Sequence, residues 1–170
     1  MYLVCKFIVK NYKFEKSDDE VKDGMDISLV NITFPGKNED KKTIVEWAGA
    51  NNPLWILRKE DQTITEIKAD KQPIGVYSNS KPFTTHKVEL NKGDIFYLLS
   101  DGYQDQFGGL DSKSQLTGGK KFKPVRLKKL LLSIRDESME RQKEILDQKF
   151  EEWKGDLEQV DDVCVIGVRL

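Results

Sequence analysis

Acidic residues stand at the ends of two apolar segments of this 170-residue chain, where they could hold a metal ion. Asp101 follows the unbroken apolar run Ile95–Leu99, and Asp161 and Asp162 precede the apolar residues 163–168. If the two runs are neighbouring antiparallel strands, the exit of one lies beside the entrance of the other, so the carboxylates share one sheet edge. Carboxylates without imidazole or thiolate partners favour a hard cation such as Mg²⁺ or Mn²⁺ over zinc.

A purely structural role is the alternative for these acids. Asp101 is followed by Gly102, and an Asp-Gly pair after a strand is a common turn, because Gly tolerates positive φ and Asp bonds its neighbouring backbone. Asp161 and Asp162 cannot both face the core, so one points along the edge while the other caps or pairs. From the residues alone, both interpretations stay open.

The elements that would position these acids follow from hydrophobic patterning. The run Ile95–Leu99 lacks alternation, which predicts a strand buried on both faces. Further strands are predicted at residues 27–34 and 43–48, which form a hairpin, and at 54–58, 63–67, 83–90 and 163–168. Two amphipathic helices are predicted between them and the last strand, one beginning at Pro124 and one ending at Gly155. Strands followed by helices that cover them indicate an α+β fold with an antiparallel sheet.

The pattern also predicts core residues and less regular segments. Residues 1–14 fit a helix slightly better than a strand, residues 15–26 resemble an acidic linker, and residues 110–123 resemble a lysine-rich surface loop. His86 is expected on a strand surface rather than in a metal site. The predicted core residues are Trp47, Trp55, Phe96, Leu98, Ile145, Phe150 and Ile166.

Composition excludes several classes of function. The 28 Lys and Arg residues balance 29 Asp and Glu residues, for a net charge of −1, which argues against nucleic-acid or anionic-membrane binding. No apolar run approaches the roughly 18 residues that cross a bilayer, so a cytoplasmic location is expected. Cys5 and Cys164 lie in apolar surroundings, where a free Cys behaves as a small hydrophobe. A single histidine excludes a zinc site that needs two imidazoles.

Four stretches together resemble the PPM-type (protein phosphatase 2C-like) serine/threonine phosphatases, specifically the bacterial SpoIIE/RsbU-type domain: GDIFYLLSDGYQDQFGG, AGANNP, DGMD and VDDVCVIGV. The likeness covers residues 23–170, which leaves residues 1–22 as an N-terminal helix or linker remnant. It implies a β-sandwich flanked by helices in α-β-β-α layers. It also implies that Asp101 and Asp161 bind the catalytic metals, with Gly102 as the motif glycine and Asp162 in a supporting position.

The resemblance implies a reaction and its partners. A dinuclear Mn²⁺ or Mg²⁺ site would activate water to hydrolyse phosphoserine or phosphothreonine on a bacterial signalling protein, such as an anti-sigma-factor antagonist. The phosphoprotein would be the substrate, and the family pattern includes an N-terminal sensor domain in longer chains and a dimer. No nucleic acid and no membrane span are expected.

Two departures from the family pattern matter. The family's N-terminal block, with its Gly-Asp…Gly-His-Gly-like motif, is not found, and Asp18, Asp19, Asp23 and Asp26 lack that Gly-rich setting. Where relatives have Ala-Gly-His-Pro, this chain has Ala50-Asn51-Asn52-Pro53, so the histidine is absent. These departures predict the C-terminal portion of a phosphatase domain, incomplete at its N-terminus. The alternative is a catalytically inactive, truncated binding or regulatory module.

Overall fold

A computed structural model of the chain describes residues 2–6, 24–36, 42–75, 80–109 and 119–170. Its helices are α1 (Gly102–Asp105), α2 (Pro124–Ser133) and α3 (Met139–Lys154). Its strands are β1 (Tyr2–Lys6), β2 (Gly24–Met25), β3 (Ile27–Thr33), β4 (Thr43–Ala50), β5 (Leu54–Leu57), β6 (Thr65–Ile67), β7 (Ile74–Gly75), β8 (His86–Leu90), β9 (Ile95–Leu99), β10 (Phe107–Gly108), β11 (Lys120–Lys121) and β12 (Val165–Arg169).

The longer strands form two antiparallel four-stranded sheets. The first sheet has the order β1-β3-β4-β8, and the second has the order β12-β9-β5-β6. Two short ladders, β2 with β7 and β10 with β11, lie outside these sheets. The predicted hairpin is confirmed, because β3 pairs with β4 in a register that places Val30 opposite Trp47.

Burial explains why β9 carries no alternation. One face of the second sheet packs against the first sheet, where Phe96 and Leu98 join Val30, Val45 and Trp47 in one core cluster. On the other face Ile95, Tyr97 and Leu99 pack with residues of α2 and α3 in a second cluster. All five residues of β9 are therefore buried, as the apolar run predicts.

The helices begin and end where the sequence predicts. Pro124 occupies the first turn of α2, where its missing N–H costs nothing. Ser138 caps α3 by accepting a 3.1 Å hydrogen bond from the Arg141 backbone N–H, and Gly155 ends α3 with a φ of 57°. Because both helices cover the second sheet, the predicted class of an antiparallel sandwich with flanking helices is confirmed. No helix in the described ranges is long and apolar enough to cross a membrane.

Two of the predicted core residues are only partly buried. Trp47, Trp55, Phe96, Leu98 and Phe150 are buried as expected. Ile145 is only partly buried because the neighbouring Leu146 faces the core. Ile166 is partly buried because β12 is the edge strand of its sheet, with β9 as its neighbour. All five residues of this closing strand are only partly buried for the same reason.

Two segment predictions are also wrong. Residues 2–6 form a strand that pairs with β3, not a helix, so the strand preference of their aromatic and β-branched side chains prevails. Lys120–Lys121 form a strand paired with β10, and Phe122 is buried in the helix-side cluster, so the predicted loop ends before them. Residues 7–23 of the predicted N-terminal segments, and 110–118 of that loop, lie outside the described residues.

Candidate metal centre

Strand pairing brings the predicted site residues to one edge of the second sheet. β9 and β12 are antiparallel neighbours with Leu99 opposite Val165, so the exit of one lies beside the entrance of the other. Ser100 joins the two ends, because its hydroxyl donates to the Asp162 carbonyl at 2.8 Å and accepts from the Cys164 N–H at 2.9 Å. Asp101 and Asp161 therefore lie on the same edge, next to these two hydrogen bonds.

Gly102 is required by close packing rather than by its backbone angles. It is the first residue of α1, and a Cβ at this position would overlap the carbonyl oxygen of Asp162 and lie 3.2 Å from that of Asp161. No positive φ occurs there, so the Asp-Gly pair is not the turn that the structural alternative describes. The missing side chain lets the loop before β12 come up against Asp101.

The carboxylate of Asp101 is not used to cap the helix that it precedes. Asp101 is the N-cap residue of α1 with φ −80° and ψ −14°, yet its side chain makes no capping hydrogen bond. Partial withdrawal from water, the carboxylate of Asp161, and more weakly Asp105 and Asp26 raise the pKa of Asp101, against the opposing effect of its own backbone N–H. An exposed carboxylate among like charges is a position where a bound cation would relieve repulsion.

Asp161 and Asp162 contribute different groups to this edge. Asp161 accepts a 2.7 Å hydrogen bond from the Asp162 backbone N–H through its side chain, and both side chains are exposed. Asp162 contributes its carbonyl to Ser100. The backbone of Asp162 thus supports the edge, while the carboxylate of Asp161 is the one that acts on the charge of Asp101.

Asp26 is a member of this acidic edge that the sequence interpretation missed. Asn51, which precedes the residue at the position of the family histidine, donates from Nδ2 to Oδ1 of Asp26 at 2.7 Å, and its own backbone has a φ of 60°. Ile27 pairs with Ala50 in the first sheet, which brings residues 26 and 51 together. The linker prediction is therefore wrong for residues 24–26. The DGMD stretch was the only local indication.

Gln106 is a second residue that sequence reasoning missed. Its fully buried side-chain amide donates to the carbonyls of Phe107 and Glu158, each at 2.9 Å, and accepts from the Val160 N–H at 3.2 Å. These bonds hold the segment that leads into Asp161. A glutamine four residues after the Asp-Gly pair gives no sequence signal of this kind, since two of its partners, Glu158 and Val160, lie 52 and 54 positions away.

The residues present fit part of a site for a hard cation. The donors at this edge are carboxylates, which Mg²⁺ and Mn²⁺ prefer. Within the described ranges, however, no group of three or more His, Cys, Asp or Glu side chains is close enough to hold a metal ion. Asp101 and Asp161 therefore supply donors of the right chemistry without forming a complete coordination set.

Comparison with known proteins decides the family. The family model described as Stage II sporulation protein E (SpoIIE) matches residues 21–170. The chain belongs to the SpoIIE family. This is a family of PP2C-type phosphatases, in agreement with the resemblance seen in the sequence. No curated protein sequence matches the chain significantly.

Solved structures agree with this family. The SiaA-PP2C domain of Pseudomonas aeruginosa superposes with a TM-score of 0.69 at 25% identity, over 86% of this chain and 52% of that one. The PP2C phosphatase domain of SpoIIE from Bacillus subtilis, with a fragment of its regulatory domain, gives 0.58 at 16% identity, over 86% and 37%. An Mn-presoaked crystal of that phosphatase domain gives 0.51 at 15% identity, over 91% and 60%. The chain thus spans about half the length of the SiaA-PP2C domain.

Proposed function

We propose that residues 23–170 are the C-terminal portion of a metal-dependent protein serine/threonine phosphatase domain. The substrate is phosphoserine or phosphothreonine on a bacterial signalling protein, such as an anti-sigma-factor antagonist, in the cytoplasm. Residues 1–22 precede this portion, and a longer chain would add a sensor domain. The observation that carries the proposal is the convergence of Asp101 and Asp161 at one sheet edge in a chain of the SpoIIE family.

Each residue of the edge has its own part in this function. Asp101 and Asp161 hold the metal, while Gly102 and the carbonyl of Asp162 set the spacing between their two loops. Mn²⁺ or Mg²⁺ held by these two carboxylates would supply an activated water for attack on phosphorus. Asn51 keeps Asp26 beside the edge, where its negative charge adds to the attraction for a cation.

The partial coordination set supports the view that further ligands come from a block before residue 23. The share of the SiaA-PP2C domain without a counterpart here has room for such a block. The edge strand β12, only partly buried and paired on the side of β9, leaves space for an additional strand in the second sheet. The coding DNA upstream of Met1 is the simplest place to look for a Gly-Asp…Gly-His-Gly block.

A second candidate function rests on the same incomplete site. A phosphatase-like module that binds partners without turnover needs no full coordination set, and no group of three metal-ligating side chains occurs in the described part of the chain. In that case the acidic edge would bind metal weakly, because each missing ligand leaves the cation with fewer fixed anions. Dimerisation is compatible with either function.

Hydrolysis of p-nitrophenyl phosphate in millimolar Mn²⁺ tests the enzyme proposal. If the purified chain is active, Asp101→Asn should abolish the activity, whereas Asp136→Asn should not, because that side chain is 94% exposed in the turn between α2 and α3. Loss of the Mn²⁺ electron-spin-resonance signal on titration would report binding separately. No metal binding, together with no activity in a longer chain that carries the upstream block, would leave the binding-module function as the answer.

A further inference from the structure

A strongly basic segment lies beside the acidic edge. Residues 120–129, with the sequence KKFKPVRLKK, contain six Lys or Arg residues and no acid, although the whole chain has a net charge of −1. Four of these side chains are exposed at the start of the segment, namely Lys120, Lys121, Lys123 and Arg126. We refer to these four residues as the basic rim.

Backbone contacts fix the basic rim against α1, the helix that begins directly after Asp101. The Lys123 N–H donates to the Gln104 carbonyl at 2.7 Å, and the Phe122 N–H donates to the Gln106 carbonyl at 3.0 Å. Lys121 also forms a 2.8 Å ion pair with Asp105 of α1. The rim therefore packs against the end of the short helix whose first residue follows Asp101.

Most of the positive charge of the rim is not neutralised within the fold. Lys121 has Asp105, but among the described residues Lys120, Lys123 and Arg126 have no carboxylate partner. The guanidinium of Arg126 is held in place by stacking, 4.2 Å from the Trp153 ring centroid. A stacked guanidinium keeps its N–H donors directed outward, which suits it to binding carboxylates.

Folding preferences do not account for these cations. The first turn of α2 has no acidic residue, although the positive end of a helix favours acids over Lys and Arg. Lys123 also adopts φ 74° and ψ 148°, a backbone conformation that non-glycine residues avoid. Lys123 and Arg126 thus lie where local stability disfavours them, which favours a role in an interaction.

We infer that the basic rim binds acidic residues flanking the phosphoserine or phosphothreonine of a protein substrate. This inference rests on the proposed phosphatase function and adds the substrate class, a phosphoprotein segment rich in Asp and Glu. The phosphate lies at the acidic metal edge, while the flanking carboxylates pair with Lys120, Lys123 and Arg126. The substrate thus docks through charge complementarity at the rim, while the chemistry takes place at Asp101.

Fluorescence anisotropy with labelled phosphoserine peptides tests the rim. One peptide has Asp and Glu flanks, and the other has Ala and Gln flanks of the same length, both in millimolar Mn²⁺ at low salt. The chain should bind the acidic-flanked peptide about tenfold more tightly, the effect of two or three exposed ion pairs. The K120E/K123E variant should lose this preference.

The matched control is K87E/K92E, which changes the net charge equally at two exposed lysines in β8 and in the turn before β9. The control should keep the preference, and circular dichroism should show all three proteins folded. No preference in the unmodified chain, or equal loss in both variants, contradicts the inference. Equal binding of a single-stranded DNA would also overturn it, because the rim would then be a general polyanion surface.

The two proposals fail in distinguishable ways. Hydrolysis of p-nitrophenyl phosphate involves no flanking residues, so its absence in a longer chain that carries the upstream block counts against the phosphatase function, while the peptide preference still reports on the rim. Retained hydrolysis with no peptide preference counts against the rim alone.

Discussion

Asp94 lies just before strand β9 and Asp101 lies just after it, yet the two carboxylates are held in opposite ways. Asp94 is 2% exposed and accepts hydrogen bonds from the backbone N–H groups of Lys59 at 2.9 Å and Asn91 at 2.8 Å. Arg58 adds an ion pair at 3.6 Å. Asp101 is exposed, caps nothing through its side chain and has other carboxylates as its charged neighbours.

This difference separates a carboxylate that serves the fold from one available to a ligand. The bonds of Asp94 tie the turn before β9 to the end of β5, so its charge is compensated within the chain. Among the described residues no cation compensates the charge of Asp101, and neighbouring acids make it harder to ionise. A group whose protonation is perturbed without a structural purpose is a functional candidate.

The largest expected effect on stability is at Asp94, before strand β9. Asp94→Ala should destabilise the chain by about 3 kcal/mol, because it removes a buried carboxylate that accepts two partly buried backbone N–H groups and pairs with Arg58. Urea denaturation followed by circular dichroism measures this loss, with Asp136→Asn as the exposed control. If Asp94→Ala lowered the free energy of unfolding by less than Asp101→Asn does, Asp94 would not be the structural carboxylate of the pair.

A substitution of Gln106 tests whether the hydrogen bonds beside the acidic edge also stabilise the fold. Gln106→Leu should cost about 2 kcal/mol, since a side chain of similar size would fill the space but leave the Glu158 carbonyl and the Val160 N–H unpaired. The same urea series gives the free energy. Mn²⁺ affinity should fall as well, because the segment leading to Asp161 loses its support. Unchanged affinity would show that Asp161 is positioned without Gln106.

A substitution of Lys123 tests whether the backbone strain near the acidic edge costs stability. Lys123→Gly should stabilise the chain by about 1 kcal/mol, because glycine adopts a φ of 74° without steric cost. Thermal unfolding should show the higher midpoint, and acidic-peptide binding should weaken at the same time. A lower midpoint would mean that the lysine side chain contributes to folding.

The smallest effect concerns Asp101 itself. Because its pKa is raised in the folded chain, the folded state binds the proton more tightly than the unfolded state, so stability falls as the pH rises through that pKa. Asp101→Asn removes this dependence and should be the more stable protein at neutral pH, by less than about 1 kcal/mol at so exposed a site.

In buffer acidic enough to protonate Asp101 in both the folded and the unfolded chain, the difference between Asp101→Asn and the unmodified chain should disappear. Added Mn²⁺ should reverse the order at neutral pH, since the unmodified chain gains from binding and the variant does not. Urea midpoints in acidic and neutral buffer, with and without Mn²⁺, check all four cases. A variant stabilised by Mn²⁺ as strongly as the unmodified chain would place the metal elsewhere.

Several secondary-structure elements are predictable from nearby residues in the sequence. The unbroken apolar run of β9, Pro124 at the start of α2 and Gly155 at the end of α3 depend on neighbours within one or two turns of chain, and the structure confirms all three. Asp101 and Asp161 are also predicted from local evidence, because each borders an apolar strand, and their role as metal ligands stays a prediction. Residues 2–6 were misjudged, since a short apolar segment fits both periodicities until a partner strand selects one.

Only the tertiary structure decided how the acidic edge is assembled. Asn51 reaches Asp26 across 25 positions of sequence, Gln106 reaches Glu158 across 52, and Ser100 reaches Asp162 across 62. Gly102 is glycine because the backbone of Asp162 passes against it, a cause that backbone preference does not reveal. Such contacts depend on which strands become neighbours, and strand pairing is a property of the folded sheet that no short window of sequence contains.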